Sequence, residues 1–207
     1  MIFFCTALTL WGQDALNPKG SAGIGLFFSN DFNSSVECRT GGGPGVGPGG
    51  GALPGNLASG GFYAYGDFIY AEIICGMFFG GGKGPMFFLG ADLGIYGKYP
   101  FVISEKLCAF PLLGFEFAPV LYANYNGRAF VDFFASVYER HVSWKQFWFN
   151  TGAGLDMRLN GTFLLRFEAL YGLRLKTGSV NYLIDRSQLT VNNGLGHGLT
   201  LRVALGI

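Results

Sequence analysis

The sequence predicts an all-β fold, an antiparallel up-and-down transmembrane β-barrel of eight strands, and three observations predict it. Bulky apolar residues alternate with charged or tiny ones along several stretches, the period of a strand whose two faces meet different surroundings. Charged residues are 13% of the 207-residue chain and aromatics 17%, with a mean hydropathy of +0.33. That charge content is about half the usual share for a water-facing domain. Short connections also alternate with long ones, as in outer-membrane barrels with tight periplasmic turns and extended outer loops. No window carries the roughly eighteen uninterrupted apolar residues of a spanning helix, so a membrane-crossing chain of this kind crosses with strands. Fourteen basic and thirteen acidic side chains leave a net charge of +1, which points to no nucleic-acid partner.

The first strand is expected over about residues 19–28, with Ala22, Ile24, Leu26 and Phe28 opposite Ser21, Gly23 and Gly25. Residues 41–51, GGGPGVGPGGG, can bury nothing and read as a flexible loop. A long strand follows over 62–79. Within it Tyr63, Tyr65 and Asp67 share one parity and Glu72 has the other, so a bulge is expected between the two carboxylates. Residues 80–84 form a shortened outer loop. The strand from Met86 sets Phe87, Leu89, Ala91, Leu93 and Ile95 against Gly90, Asp92, Gly94, Tyr96 and Lys98.

Ser104, Glu105 and Lys106 connect tightly to a strand over 107–121, in which Glu116 and Gly114 oppose Leu113, Phe115 and Phe117. A long loop over 122–146 leads to the strand 147–159, and Asn160-Gly161 turns the chain into the strand 163–176. After a last long loop, 177–196, the strand 199–207 alternates Leu199, Leu201, Val203, Leu205 and Ile207 with Thr200, Arg202, Ala204 and Gly206. These are seven strands. The eighth is expected between Phe28 and Phe62, with 32–39 the best candidate.

Residues 2–11 form a short apolar run followed by Gly12, Gln13, Asp14 and Ala15, so residues 1–15 read as a signal peptide cleaved between Gly12 and Ala15. No Lys or Arg precedes the run, which leaves two readings: a true start upstream of Met1, or a buried strand. Residues 16–207 are then one barrel domain. With Cys5 removed, Cys38, Cys75 and Cys108 define no disulfide framework and read as packing residues.

The polar face carries Asp67, Glu72, Asp92, Lys98, Glu116, Asp156, Arg158, Arg166, Glu168, Arg174 and Arg202, set among many glycines. Glycine weakens a water-facing strand without gain, whereas a lumen of about eight strands is so narrow that tiny residues make room for long Arg and Glu. The six acids and five bases nearly cancel, as an ion-pair network inside a barrel requires.

The segments LGIYGKYPF, FPLLGFEF, GAGLDMRL, EALYGLRLK and GHGLTLRVALGI resemble the strands of small spirochaetal outer-membrane barrel proteins, within the broad group of eight-stranded OmpW-like and OmpX-like barrels. The resemblance covers about residues 62–207. It implies placement in the cell outer membrane with surface-exposed loops, and it implies no catalytic residue.

Two functions are expected to compete. In one, the barrel is a narrow porin-like route for small apolar solutes, with Phe88, Phe110, Leu112, Leu164 and Leu170 as an apolar outer vestibule. In the other, it is a platform whose loops bind extracellular partners, with Tyr125, Arg128, Phe130, Tyr138 and Trp144 as contacts. Membrane lipid is the partner in both. Enzyme chemistry is not expected: His141 and His197 share no strand or fixed spacing with a nucleophile, and no spacing suits a metal or cofactor.

Overall fold

The computed structural model describes residues 20–32, 35–40, 51–54, 57–82, 86–125, 128–132, 144–159, 162–175, 178–184, 187–193 and 195–207. The expected signal peptide and residues 41–50 of the glycine tract lie outside them. All regular structure among the described residues is β.

Eight antiparallel strands close into a barrel: β1 (Ser21–Phe32), β4 (Leu57–Asp67), β5 (Ala71–Gly81), β6 (Met86–Lys98), β8 (Leu107–Tyr125), β10 (Trp144–Arg158), β11 (Leu164–Leu175) and β14 (Gly196–Gly206). Each pairs with the next in chain order, and β14 pairs with β1 to close the wall, Leu26 lying opposite Val203. β7 (Phe101–Ser104) and β9 (Arg128–Asp132) pair with the two ends of β8. Four further strands, β2 (Ser35–Thr40), β3 (Gly51–Pro54), β12 (Gly178–Ile184) and β13 (Ser187–Asn193), form a separate sheet in the order β12-β13-β2-β3.

The eighth wall strand lies elsewhere than expected. The stretch read as one strand over 62–79 is two, β4 and β5, which pair with Asp67 directly opposite Glu72. The parity change between these carboxylates therefore marks a reversal of the chain, not a bulge. Its turn is Phe68-Ile69-Tyr70, free of Gly, Pro or Asn and thus invisible to turn chemistry. The Asp67 side chain substitutes for that signal: Ile69 N donates to Asp67 Oδ1 at 3.0 Å, and Phe68 N donates to Ala71 O at 2.7 Å. Ile69 is held at φ 72, a conformation in which a β-branched residue is strained. The candidate segment 32–39 instead runs from the end of β1 into β2, which pairs with β13 and β3 away from the wall.

The chain reversals fall into two sets. At one end, where Ala22 and Ile207 exchange backbone hydrogen bonds, lie the turn at 68–70, the reversal in which Leu159 N donates to Phe163 O, and the β7 corner. At the other end lie Gly81 at the close of β5, Met86 at the start of β6, and strands β2, β3, β9, β12 and β13. The loop expected over 122–146 is in part strand, because β8 continues to Tyr125, β9 folds back on it, and β10 begins at Trp144, opposite Val120.

Alternation along every wall strand sends one set of side chains outward. Ile24 is 72% exposed, Leu26 62%, Leu113 53% and Leu201 58%, and they stand among Ile95, Phe115, Phe167 and Leu205 on the same surface. A continuous apolar outside on a closed barrel is a lipid-facing surface. Aromatic rings cluster at the short-turn end, where Tyr99 lies 5.9 Å from Tyr70 and 5.1 Å from Phe101 between ring centroids, in the manner of an interfacial girdle.

Candidate functional site

The inward set of side chains fills the tube. Arg166, Arg174, Arg202, Tyr96, Phe110, Ile74, Leu112, Leu170 and Glu72 are fully buried. The glycines make room mainly for aromatic rings. A Cβ at Gly114 would lie 2.6 Å from the Tyr96 ring, and one at Gly154 would strike Phe110.

Three groups of ion pairs are stacked along the axis. Nearest the short turns, Arg166 binds three carboxylates. Its Nε donates to Asp156 Oδ1 and its Nη2 to Asp156 Oδ2 and Asp67 Oδ2, each at 2.7 Å. Nη1 donates to Glu72 Oε2. The two bonds to Asp156 form the bidentate fork that guanidinium geometry favours. Lys98 Nζ also donates to Asp67, and the two cations lie over aromatic faces: Arg166 4.2 Å from the Tyr65 ring centre and Lys98 4.4 Å from that of Phe110. This arrangement follows from the sheet register, which sets Arg166 opposite Asp156 and Asp67 opposite Glu72.

At mid-height Arg202 donates to Glu116 Oε1 at 2.8 Å, to the Tyr96 hydroxyl at 3.1 Å and to Glu168 Oε2 at 3.4 Å. Tyr96 donates in turn to Glu116 Oε2 at 2.7 Å. Asn150 Nδ2 donates to the Tyr96 hydroxyl at 2.8 Å and also to Glu116. Toward the long connections Arg174 Nη1 donates to Asp31 Oδ2 at 2.5 Å, with its guanidinium 5.7 Å from the Trp148 ring centre.

Ten of the eleven expected lumen residues thus point inward: Asp67, Glu72, Asp92, Lys98, Glu116, Asp156, Arg166, Glu168, Arg174 and Arg202. Arg158 does not join them. It ends β10, opposite Leu164 at the margin of the wall, and is exposed. Asp31, Tyr96 and Asn150 belong to the network but were not among its expected members. Asp31 falls beyond the expected end of the first strand, although its parity with Ser21, Gly23 and Gly25 already placed it on the polar face. With Asp31 in and Arg158 out, seven acids face four bases among the described residues, so the near-cancellation expected from the sequence gives way to an acidic surplus there.

The five residues expected to form an apolar vestibule are spread along the tube. Phe110 lies under Lys98 and packs in one core cluster with Leu112 and Leu170. Leu164 sits near the short-turn end, opposite Gly206. Phe88 alone borders the open space, against Phe78 at 6.1 Å between ring centroids. That space is a cup of about 620 Å³, including its open solvent, lined by Phe27, Phe78, Phe88, Trp148, Leu57, Ala118, Asp31, Asp92, Glu116, Asn150, Gln146 and small Ser, Thr and Gly residues. Its lining places it between the Arg202 group and the long connections.

Of the expected loop contacts, Tyr125 ends β8, Arg128 and Phe130 lie in β9, and Trp144 begins β10; Tyr138 lies outside the described residues, as does His141. His197 is held against aromatic rings, 5.3 Å from Phe32 and 5.9 Å from Tyr171 between centroids. Among the described residues no three His, Cys, Asp or Glu side chains are grouped to hold a metal ion.

No family model matches the chain, and no curated protein matches it. Among solved structures it is similar to Neisserial surface protein A, at 9% identity and a TM-score of 0.46, over 91% of this chain and 99% of that one. It is also similar to Ail, the attachment invasion locus protein of Yersinia pestis, at 12% identity and a TM-score of 0.36, over 90% and 99%. The outer membrane protease OmpT from Escherichia coli aligns at 9% identity and a TM-score of 0.36, over 91% and 96%. Likenesses this distant carry no inference about activity or partners.

Proposed function

We propose that this chain is an integral outer-membrane protein whose closed barrel serves as a platform, and that its long connections act at the cell surface by binding partners. The observation that carries this reading is the filled lumen. Arg166, Arg174 and Arg202 stand at three heights, each fully buried and each tied to carboxylates on other strands. Opening a continuous path would break several charge-assisted hydrogen bonds at once inside a narrow tube, where unpaired ions are costly. The sheet built from β2, β3, β12 and β13 gives the long-connection end a scaffold of its own, since pairing of β2 with β13 ties together the first and last of these connections. On this reading the short turns face the periplasm, and the chain has no catalytic role.

The runner-up is a narrow porin-like route for small apolar solutes, favoured by the aromatic wall of the cup at Phe27, Phe78 and Phe88. Planar-bilayer recording with the purified, refolded barrel, paired with uptake of a hydrophobic dye into barrel-containing vesicles, separates the two. The platform reading expects an electrically silent barrel that takes up nothing; steady conductance or protein-dependent uptake would overturn it.

A further inference from the structure

Of the three carboxyl groups that line the cup, two are committed. Glu116 accepts hydrogen bonds from Arg202, Tyr96 and Asn150, and Asp31 is bound by Arg174. The third, Asp92, is 3% exposed, and its Oδ1 meets no hydrogen-bond donor among the described residues. Another acid, Glu116, lies within hydrogen-bonding reach of the Asp92 carboxyl, and the Arg202 guanidinium also acts on it. No Lys or Arg is among the lining residues. Buried carboxyl oxygens as a rule find a hydrogen-bond partner, and this one borders open space, so it is suited to a partner that enters from the cup.

The surroundings define that partner's chemistry. Phe78 leans across Gly90, the inward neighbour of Asp92 on β6, and a Cβ at Gly90 would strike its ring. Phe88 packs edge-on to Phe78 directly above. A carboxyl oxygen at the floor with aromatic faces beside it is matched by a cation that carries a short apolar tail: the ammonium donates to the oxygen while the ring faces take charge and carbon. A divalent metal would need several oxygen ligands converging on one point, and among the described residues no three His, Cys, Asp or Glu side chains are so grouped.

From this geometry we infer that the cup binds a small primary alkylammonium ion, its head on Asp92 and its chain against Phe78 and Phe88. The site lies within the barrel wall and stands whether or not the long connections bind partners.

The test is calorimetric titration of the detergent-solubilised full chain with butylammonium chloride at fixed ionic strength. Saturable binding is expected, weakened at least about tenfold by Asp92→Asn, which removes one charged hydrogen bond while keeping the shape, and weakened to a lesser extent by Phe88→Leu. The slower gel migration of the boiled sample relative to the unboiled one reports that each variant is folded. Should D92N fail to fold, proton-proton contacts from the butyl chain to labelled Phe rings in the wild-type barrel carry the same decision. Absence of saturable binding, equal binding by folded D92N, or equal competition by potassium chloride would overturn the inference. So would retention of a proton between Asp92 and Glu116 with no ammonium uptake.

Discussion

Replacing Arg166 with Met tests whether the barrel is held shut by its ion pairs. The side chain is fully buried and makes four hydrogen bonds to three carboxylates. Methionine roughly fills the volume of the stem but leaves the acids without their shared cation. Asp67 keeps Lys98 and the backbone N–H of Ile69. Asp156 has a side chain 13% exposed and can draw water. Glu72 fares worst: it is fully buried, its Oε2 would lose Arg166, and its Oε1 already lacks a donor among the described residues. Removing one partner from such a site costs about 3–5 kcal/mol. With a urea dependence of about 2 kcal/mol per molar, the unfolding midpoint falls by about 2 M. Urea titration of the barrel in detergent, with folded and unfolded bands separated on gels without boiling, reads the shift. The double variant Arg166→Met with Glu72→Gln is expected to regain about half of the loss, because it removes the stranded charge along with the cation. A loss under about 1 kcal/mol in the single variant, or no recovery in the double, would refute the reasoning.

Three further outcomes follow from the same geometry. Leu201→Arg, placed mid-strand on the outer face, is expected to destabilise the barrel by about 2–4 kcal/mol, and a spin label at Leu201 should be quenched by oxygen dissolved in lipid and not by an aqueous relaxant; the opposite accessibility would reverse the inside and outside of the wall. Gly154→Val drives side-chain atoms into the Phe110 ring and should cost about 1–3 kcal/mol by overpacking, read as a lower urea midpoint, whereas Gly66→Ala, whose added carbon would meet nothing closer than 3.8 Å, should cost less. Ile69→Asn should raise stability by about 1 kcal/mol, because Asn tolerates the left-handed conformation that Ile69 is forced to adopt; an unchanged or lower midpoint would mean that the turn is not strained.

Period-two alternation was enough to separate lipid face from lumen face, because a strand sends neighbouring side chains to opposite sides whatever its partners are. That is why Leu201, Leu113 and Ile24 lie outside, and why Arg166, Glu168 and Arg202 lie inside. Where a strand stops is a different matter. Phe68-Ile69-Tyr70 has the composition of a strand, and only the hydrogen bond from Ile69 N to the Asp67 carboxylate and the pairing of β4 with β5 make it a turn. The missing eighth strand was therefore hidden inside an expected one.

What the sequence by itself determined is the kind of object: a closed antiparallel barrel, apolar outside, with charges and glycines within. What only the tertiary structure decided is which charges meet. Arg166 gathers Asp67 and Glu72 from positions 99 and 94 residues away, and Arg202 reaches Glu116 across 86. Such distances along the chain are closed by register and barrel curvature, and the same closure put Arg158 outside, brought Asp31 in, and left Asp92 facing an open cup. Side-chain alternation is a local property of each strand, whereas ion pairing across a tube depends on how eight of them are staggered around it.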